Sequence, residues 1–253
     1  MLTPTKEVAG VRLPRATDVA RENVRQYRYP NLAVFRAEER IFADILRPGM
    51  RVLDVGCGSG RISRALAKCG VQVYACDLSY TALEQLRAQH DGRGLAGVGQ
   101  ADARALPFAT ESVEVVIFAF NGIDFLYPEA DRVSALREIG RVLRPGGHFI
   151  LSTHNPLGTL LSPRGLRSPV AWRWRLAYAM SGEARRPYFQ NYDGLQLYHA
   201  LPAAVVAQVS VHVGAVFRYC LTRSGVSRSL AVATLFSAWP YYVFRRGGAD
   251  AGR

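Results

Sequence analysis

Arg51–Arg61 reads RVLDVGCGSGR, an apolar run with one acid, Asp54, leading into Gly56, Gly58 and Gly60 at every second position. Glycine combines positive φ with the absence of a side chain, so such a run can turn sharply into a helix while a ligand lies against bare backbone. Two kinds of nucleotide-like ligand compete for this turn. A dinucleotide fingerprint is G-x-G-x-x-G, with the pyrophosphate resting on the helix N-terminus. Here the spacing is G-x-G-x-G, and a carboxylate two residues before the first glycine repels a pyrophosphate and attracts a cation.

The charges of S-adenosylmethionine fit that acid: a sulfonium and an α-ammonium, with no phosphate. Asp77, closing VYACD 19 residues after Gly58, sits where a carboxylate accepts both ribose hydroxyls. That position alone would serve NAD equally well. Asp102, in QADARALPF, can accept from the adenine amine or be a plain turn residue. Both readings stay open.

Methyl transfer is an in-line displacement at an already activated carbon, so the protein must aim a nucleophile and exclude water. A general base is needed only for a poorly acidic hydroxyl or a protonated amine. Two segments are placed for this, NGIDFLY with Asp124 and THNP with His154. His154 has a ring suited to base work near neutral pH, or simply hydrogen-bonds a loop. Asp124 orients an acceptor or caps the helix near Pro128. His199 and His212 read as structural, and His148 lies at a strand start, the end away from the ligand.

The elements that must hold these residues alternate. RVLDVG is a short apolar strand of the kind buried on both faces of a parallel sheet. RISRALAKCG reads as a helix with Gly70 as its C-cap. VQVYACDLS is a second strand, followed by a helix over Thr81–Gln89 with Thr81 and Glu84 at capping-box spacing. A weak third strand ends near Asp102, and Ser112–Phe120 is the strongest strand in the chain. Asp131–Gly147 reads as an amphipathic helix ending in a Pro-Gly-Gly turn before the strand HFILST. After Asn155 the rhythm breaks until LQLYHAL, a helix opened by Pro202, and the strands AVFRYCLT and YYVFRR.

This order predicts an α/β fold, a doubly wound, mostly parallel seven-stranded sheet with a helical cap. The divisions are an N-terminal helical cap segment (1–46, helical from Ala16 and broken at Pro30), a cofactor-binding core (47–155), a cap insertion (156–194), the rest of the core sheet (195–245) and a tail (246–253). Specificity belongs to the cap. Tyr27, Tyr29 and Tyr188 there, with Phe125, are the candidate acceptor-binding residues. The insertion also interleaves Trp172 and Trp174 with Arg173 and Arg175. That pattern suits an aromatic pocket for a planar or anionic acceptor, or a helix packing its tryptophans and solvating its arginines.

The bulk numbers bound the partners. Hydrophobic residues make up 49% of the 253, enough for a sizeable core. No apolar run is long enough to span a bilayer, and no signal-peptide core opens the chain, so a soluble cytoplasmic protein is expected. A net charge of +12 raises nucleic acid as a partner. Lys6 and Lys68 are the only lysines, however, and the arginine bias weakens that argument. The four cysteines show no metal-ligand spacing, and no metal site is expected.

In order and spacing, VLDVGCGSGR, ACDLS, QADARALPF, VEVVIFAFNGIDF and LREIGRVLRPGGHFILSTHN resemble the class I S-adenosylmethionine-dependent methyltransferases, most of all the branch with the ubiquinone and menaquinone biosynthesis enzymes and many natural-product enzymes. The resemblance is close over roughly residues 45–155. It implies that Asp54, Gly56, Gly58 and Gly60 line the methionine end, and that Asp77 and Leu78 take the ribose and adenine face. Asp102 and Ala103 would take the adenine edge, while Phe120 and Asn121 close the floor beside the sulfonium. Glu114 replaces the family's usual aspartate. The implied activity is methyl transfer to O, N or C of a small-molecule acceptor, aromatic or natural-product-like, with a homodimer allowed. The alternative is an RNA (tRNA) methyltransferase. Against it, the fourth-strand motif is FNGI, not the N/D-P-P-Y type, and no RNP motif, KH loop or basic tail is present. A non-catalytic binding module is disfavoured because the acids and glycines are intact.

Overall fold

In a computed structural model the described residues are 6–8, 11–13, 33–89, 94–161, 188–190 and 196–248. Strands β1 (Lys6–Val8) and β2 (Val11–Leu13) pair antiparallel as a small hairpin. Helix α1 (Arg36–Ile45) precedes β3 (Arg51–Val55), α2 (Arg61–Ala67), β4 (Gln72–Asp77), α3 (Tyr80–Ala88) and β5 (Leu95–Gln100). Then come β6 (Val113–Phe118), a 3-10 turn (Gly122–Phe125), α4 (Glu129–Val142) and β7 (Leu143–Ser152). Helix α5 (Pro156–Leu161) and the paired short strands β8 (Tyr188–Gln190) and β9 (Gln196–Tyr198) follow. The chain closes with α6 (Pro202–Val213), β10 (Ala215–Leu221), α7 (Leu230–Phe236) and β11 (Tyr241–Arg246).

Seven strands form one sheet in the order β10-β11-β7-β6-β3-β4-β5. Strands β5, β4, β3, β6 and β7 run parallel, while β11 and β10 are antiparallel to them. The doubly wound, mostly parallel architecture read from the sequence is the one observed. Its strand order reverses at β3 and β6, and ligands of such sheets bind beyond the carboxyl ends of the strands at that switch point.

Burial explains which strands were easy to see. Every residue of β6 is buried, as a central strand with helices on both faces requires. At the sheet edge, β5 is half-buried and has a weak apolar signal. One face carries α4 and α6, which pack Leu136, Ile139, Val205 and Val209 against Val116, Phe149 and Phe244. The other carries α1 and α2, with Ile41, Phe42, Ile62 and Leu66 against Val52, Val115 and Val243.

Three local readings are corrected. The cap of α3 is Ser79, whose hydroxyl accepts from the Ala82 N–H, so the helix starts before Thr81. Helix α4 ends at Val142, not Gly147. Arg144–Gly147 belongs to β7, where the register against β6 slips between Val113 and Val115, so the Pro-Gly-Gly run is absorbed as a strand irregularity. The third strand ends at Gln100, and Asp102 lies beyond it in a bridge with Ala105.

Candidate active site

The glycine turn joins β3 to α2, and Gly56, Gly58 and Gly60 have φ of +63°, +55° and +82°. Two of them are also needed for packing inside the protein. A Cβ on Gly56 would come within 2.7 Å of the Phe118 ring, and one on Gly60 within 2.1 Å of Leu86. Both conditions exclude a side chain without any ligand being present.

Asp54 is buried beneath this turn, and its Oδ2 accepts from the Ser63 hydroxyl at 2.6 Å. Burial pushes its carboxyl up from 3.8 to about 7, against the opposing pull of the Ser63 hydroxyl and the Arg61 charge. Near neutral pH this group is poised between acid and carboxylate, and a cation beside it would drive the proton off. Asp77 is also buried and ties the turn from the next strand. Its Oδ2 accepts the Gly58 N–H at 2.8 Å and its Oδ1 the Ser79 N–H at 2.8 Å. The neighbouring thiols are inert: burial first, then the charges of Asp54 and Asp77, hold Cys76 up at about 12 and raise Cys57 as well.

Further along the C-terminal edge, the segment after β6 carries two residues in left-handed backbone, Phe120 (φ +53°) and Asn121 (φ +59°). Strained backbone of this kind persists where the surroundings over-determine it. Here the Asn121 N–H donates to Ser152 Oγ at 2.9 Å, and its side chain is buried with Oδ1 lacking a hydrogen-bond partner. A buried acceptor left unmade costs on the order of 1–3 kcal/mol, so Asn121 Oδ1 is a site waiting for a donor.

His154 follows β7 and faces the same edge. Its Nδ1 is 2.9 Å from Asp124 Oδ2, and its backbone N–H donates to the same oxygen at 2.6 Å. Asp124 is fully buried, and its other oxygen receives Arg132 Nη1 at 3.0 Å. Arg132 is fully buried too, bonded to the Ile123 carbonyl and Gln208 and stacked under the Tyr198 ring at 3.9 Å. With both carboxylate oxygens receiving donors, the ring proton belongs on Nδ1 and the lone pair on Nε2. That nitrogen meets only Asn121 Nδ2, at a loose 3.4 Å. The ring stacks on His199 at 4.9 Å and 5°. Burial and the His154 charge hold His199 down at about 2, so it stays neutral.

The structure brings together most of the residues singled out from the sequence. Asp54, Asp77 and the glycines form one cluster, and Asn121, Asp124 and His154 a second beside it. Leu78 is half-buried and its carbonyl accepts from Gln100 at 2.7 Å. Phe125 is half-buried in the 3-10 turn. Ala103 is buried, while Asp102 holds Arg104 at 2.6 Å and accepts its N–H at 2.9 Å. Asp124 does not cap the helix at Pro128. Tyr27, Tyr29, Trp172 and Trp174 lie outside the described residues, and only the backbone of Tyr188 is described, paired with Tyr198. Among the described residues no cluster of three metal-ligating side chains occurs, and no helix is long and apolar enough to cross a membrane. Glu114 accepts the Arg51 N–H at 2.7 Å and pairs with Arg144 at 2.9 Å, tying the start of β3 to β7.

Sequence reasoning missed a third group. Glu38, buried in the first turn of α1, receives both Arg61 nitrogens at 2.6 and 2.7 Å and the Tyr241 hydroxyl at 2.8 Å. Arg61 in turn lies over the Phe35 and Phe120 rings at 4.8 and 5.3 Å. Phe120 also meets Trp239 at 6.0 Å, and Trp239 stands edge-on to His154 at 6.1 Å. One signal was available: a glutamate three residues before an apolar Ile-Phe pair on an amphipathic helix, turned to its buried face.

Comparison with known proteins agrees with this geometry. Residues 52–147 match the family model described as a methyltransferase domain. An uncharacterized protein of Mycobacterium tuberculosis is 43% identical over 101 residues, covering 40% of this chain and 35% of that one. A demethylmenaquinone methyltransferase of Beutenbergia cavernae is 38% identical over 125 residues, 48% of this chain and 49% of that one. The chain thus spans less than half the length of these relatives. A solved S-adenosylmethionine-dependent methyltransferase from Methanosarcina mazei superimposes with a TM-score of 0.63 at 17% identity, covering 86% of this chain and all of that one. At that identity the likeness is one of fold.

Proposed function

We infer that this chain, which carries a class I S-adenosylmethionine-dependent methyltransferase domain over residues 52–147, transfers a methyl group to an O, N or C nucleophile of a small-molecule acceptor. The observation that carries the reading is the pairing of a buried, phosphate-free acid with an open acceptor atom. Asp54 lies under the glycine turn and Asn121 Oδ1 is left without a donor beside it. S-adenosylmethionine brings a cationic sulfonium and an ammonium, the partners these two groups lack.

Bound there, the cofactor supplies a methyl carbon already activated for displacement. Asp54 and the glycine turn hold the methionine end, and Asp77 and Leu78 the ribose side. Asp77 spends its oxygens on Gly58 and Ser79, so it fixes the turn as well as facing the sugar. His154 Nε2, with its lone pair set by the Nδ1–Asp124 contact, takes the proton from a hydroxyl or ammonium acceptor as that acceptor attacks. Asp124 holds the ring and stabilises the imidazolium, and Arg132 balances Asp124 in its dry site. Arg132 is a positioning residue acting through Asp124.

A small-molecule acceptor agrees with the closed aromatic rim of Phe35, Phe120 and Trp239. Incubation with methyl-labelled S-adenosylmethionine and fractionated cell extract tests the reading. Label in a low-molecular-weight product supports it, and label confined to tRNA would replace the acceptor class.

A further inference from the structure

Three arginines border the site, and they are held differently. Arg61 is forked onto Glu38 and Arg132 onto Asp124. Arg223 lies over the Phe35 ring at 3.9 Å and the Trp239 ring at 4.5 Å, and among the described residues its guanidinium has no carboxylate partner. Rings on its faces fix a guanidinium's plane while leaving its N–H edges free. The backbone beneath it is anchored to α1, since the Ala37 N–H donates to the Arg223 carbonyl at 3.4 Å and Arg40 bonds the Gly225 carbonyl. A positioned cation with idle donors faces the site.

We propose that Arg223, clamped between Phe35 and Trp239, recognises the carboxylate of a planar acceptor lying against Trp239. The Trp239 indole links the two ends of such a molecule. His154 stands at its edge at 6.1 Å and Arg223 covers it at 4.5 Å. An aromatic or enol ring carrying a hydroxyl at one end and a carboxylate at the other would place the hydroxyl at His154 Nε2 and the anion on the guanidinium fork. Arginine matches a carboxylate with two parallel N–H donors, which adds direction as well as attraction. The substrate class is therefore hydroxylated aromatic acids and their enol analogues. This deepens the methyltransferase reading and rests on it.

The test uses 4-hydroxybenzoate and its neutral counterpart 4-hydroxybenzamide as probes, titrated calorimetrically into the full chain saturated with S-adenosylhomocysteine. The acid is expected to bind about tenfold tighter than the amide, the scale of one charge-assisted hydrogen bond. Arg223→Gln should erase that preference while leaving the homocysteine form of the cofactor bound as before. Arg228→Gln, which removes an exposed arginine paired with Asp44, should leave the preference intact and so controls for net charge. Equal binding of acid and amide, no binding of either, a preference surviving in Arg223→Gln, or one equally lost in Arg228→Gln would each overturn the assignment. Failure of S-adenosylhomocysteine itself to bind would instead overturn the methyltransferase reading, so the two failures are distinct.

Discussion

The two halves of the site are built in opposite ways. The cofactor half comes from one unbroken motif plus the end of the next strand, and its acids are bonded to its own turn: Asp54 to Ser63, Asp77 to Gly58 and Ser79. The acceptor half is gathered from Phe35, Asn121, His154, His199, Arg223 and Trp239, contributed by six separate segments. Its polar atoms include an open Asn121 Oδ1, a loosely met His154 Nε2 and an unpaired guanidinium. A ligand common to a whole family can be held by a local, self-satisfied turn. A ligand particular to one protein is met by groups whose partners arrive with it.

Variants that weaken one half while sparing the other sharpen this contrast. The largest effect is expected from His154→Ala. Turnover of the acceptor recovered by the labelling experiment should fall by about 10²–10⁴-fold, the range of general-base catalysis, with cofactor affinity unchanged. Persistence of turnover would mean that proximity suffices.

Next comes Arg132→Leu, which leaves Asp124 charged and buried without its partner. Removing one member of a buried pair costs roughly 3–5 kcal/mol, read as a lower denaturation midpoint. Arg132→Leu combined with Asp124→Leu should recover much of that stability but no turnover. If the single variant is as stable as wild type, Asp124 is not held as an ion by Arg132.

Asp54→Asn tests the cofactor half. Loss of a charged hydrogen-bonding group should weaken S-adenosylmethionine binding by roughly 1–3 kcal/mol. Its pH dependence has a definite sign. The folded-state carboxyl, raised to about 7 from 3.8, keeps a proton that the unfolded chain releases, so its ionisation costs stability as pH rises between those values. Wild type should therefore lose stability relative to Asp54→Asn as pH climbs toward 7 and lose no more above it. A cationic ligand favours the ionised form, so cofactor affinity in wild type should rise with pH over the same window and stay flat in the variant. Opposite slopes would show that burial does not govern this acid.

The smallest effect is expected at Asp102. Its carboxylate is forked onto Arg104 and is partly exposed. Asp102→Asn should change cofactor affinity by about 1 kcal/mol or less, the scale of a single neutral hydrogen bond. A loss as large as that at Asp54 would show that the Arg104 pair opens to admit the adenine.

Legibility followed the same division. The glycine turn, the acids Asp54 and Asp77, and the alternation of buried strands were readable because each is written in contiguous residues with a physical reason for its spacing. Ser79 was missed as a cap because Thr81–Glu84 matched the pattern two residues later. The Pro-Gly-Gly run was read as a turn because its absorption into β7 depends on pairing with β6, which no local window contains. Asp124 and His154 could be nominated from their positions after strands, but the Arg132 that neutralises Asp124 sits on another helix at a buried position normally apolar. Trp239 and Arg223 carried no signal. An aromatic before a Pro and an arginine in a Ser-Gly loop gain meaning only when the antiparallel strands fold back over the parallel ones.

The central claim is that the buried acid beneath a phosphate-free turn selects a cationic methyl donor. Calorimetric titration of the purified chain with S-adenosylmethionine and, separately, with NAD tests it most directly. The account predicts stoichiometric binding of S-adenosylmethionine that is weakened in Asp54→Asn, and no binding of NAD. Uptake of NAD with no response to S-adenosylmethionine would contradict it.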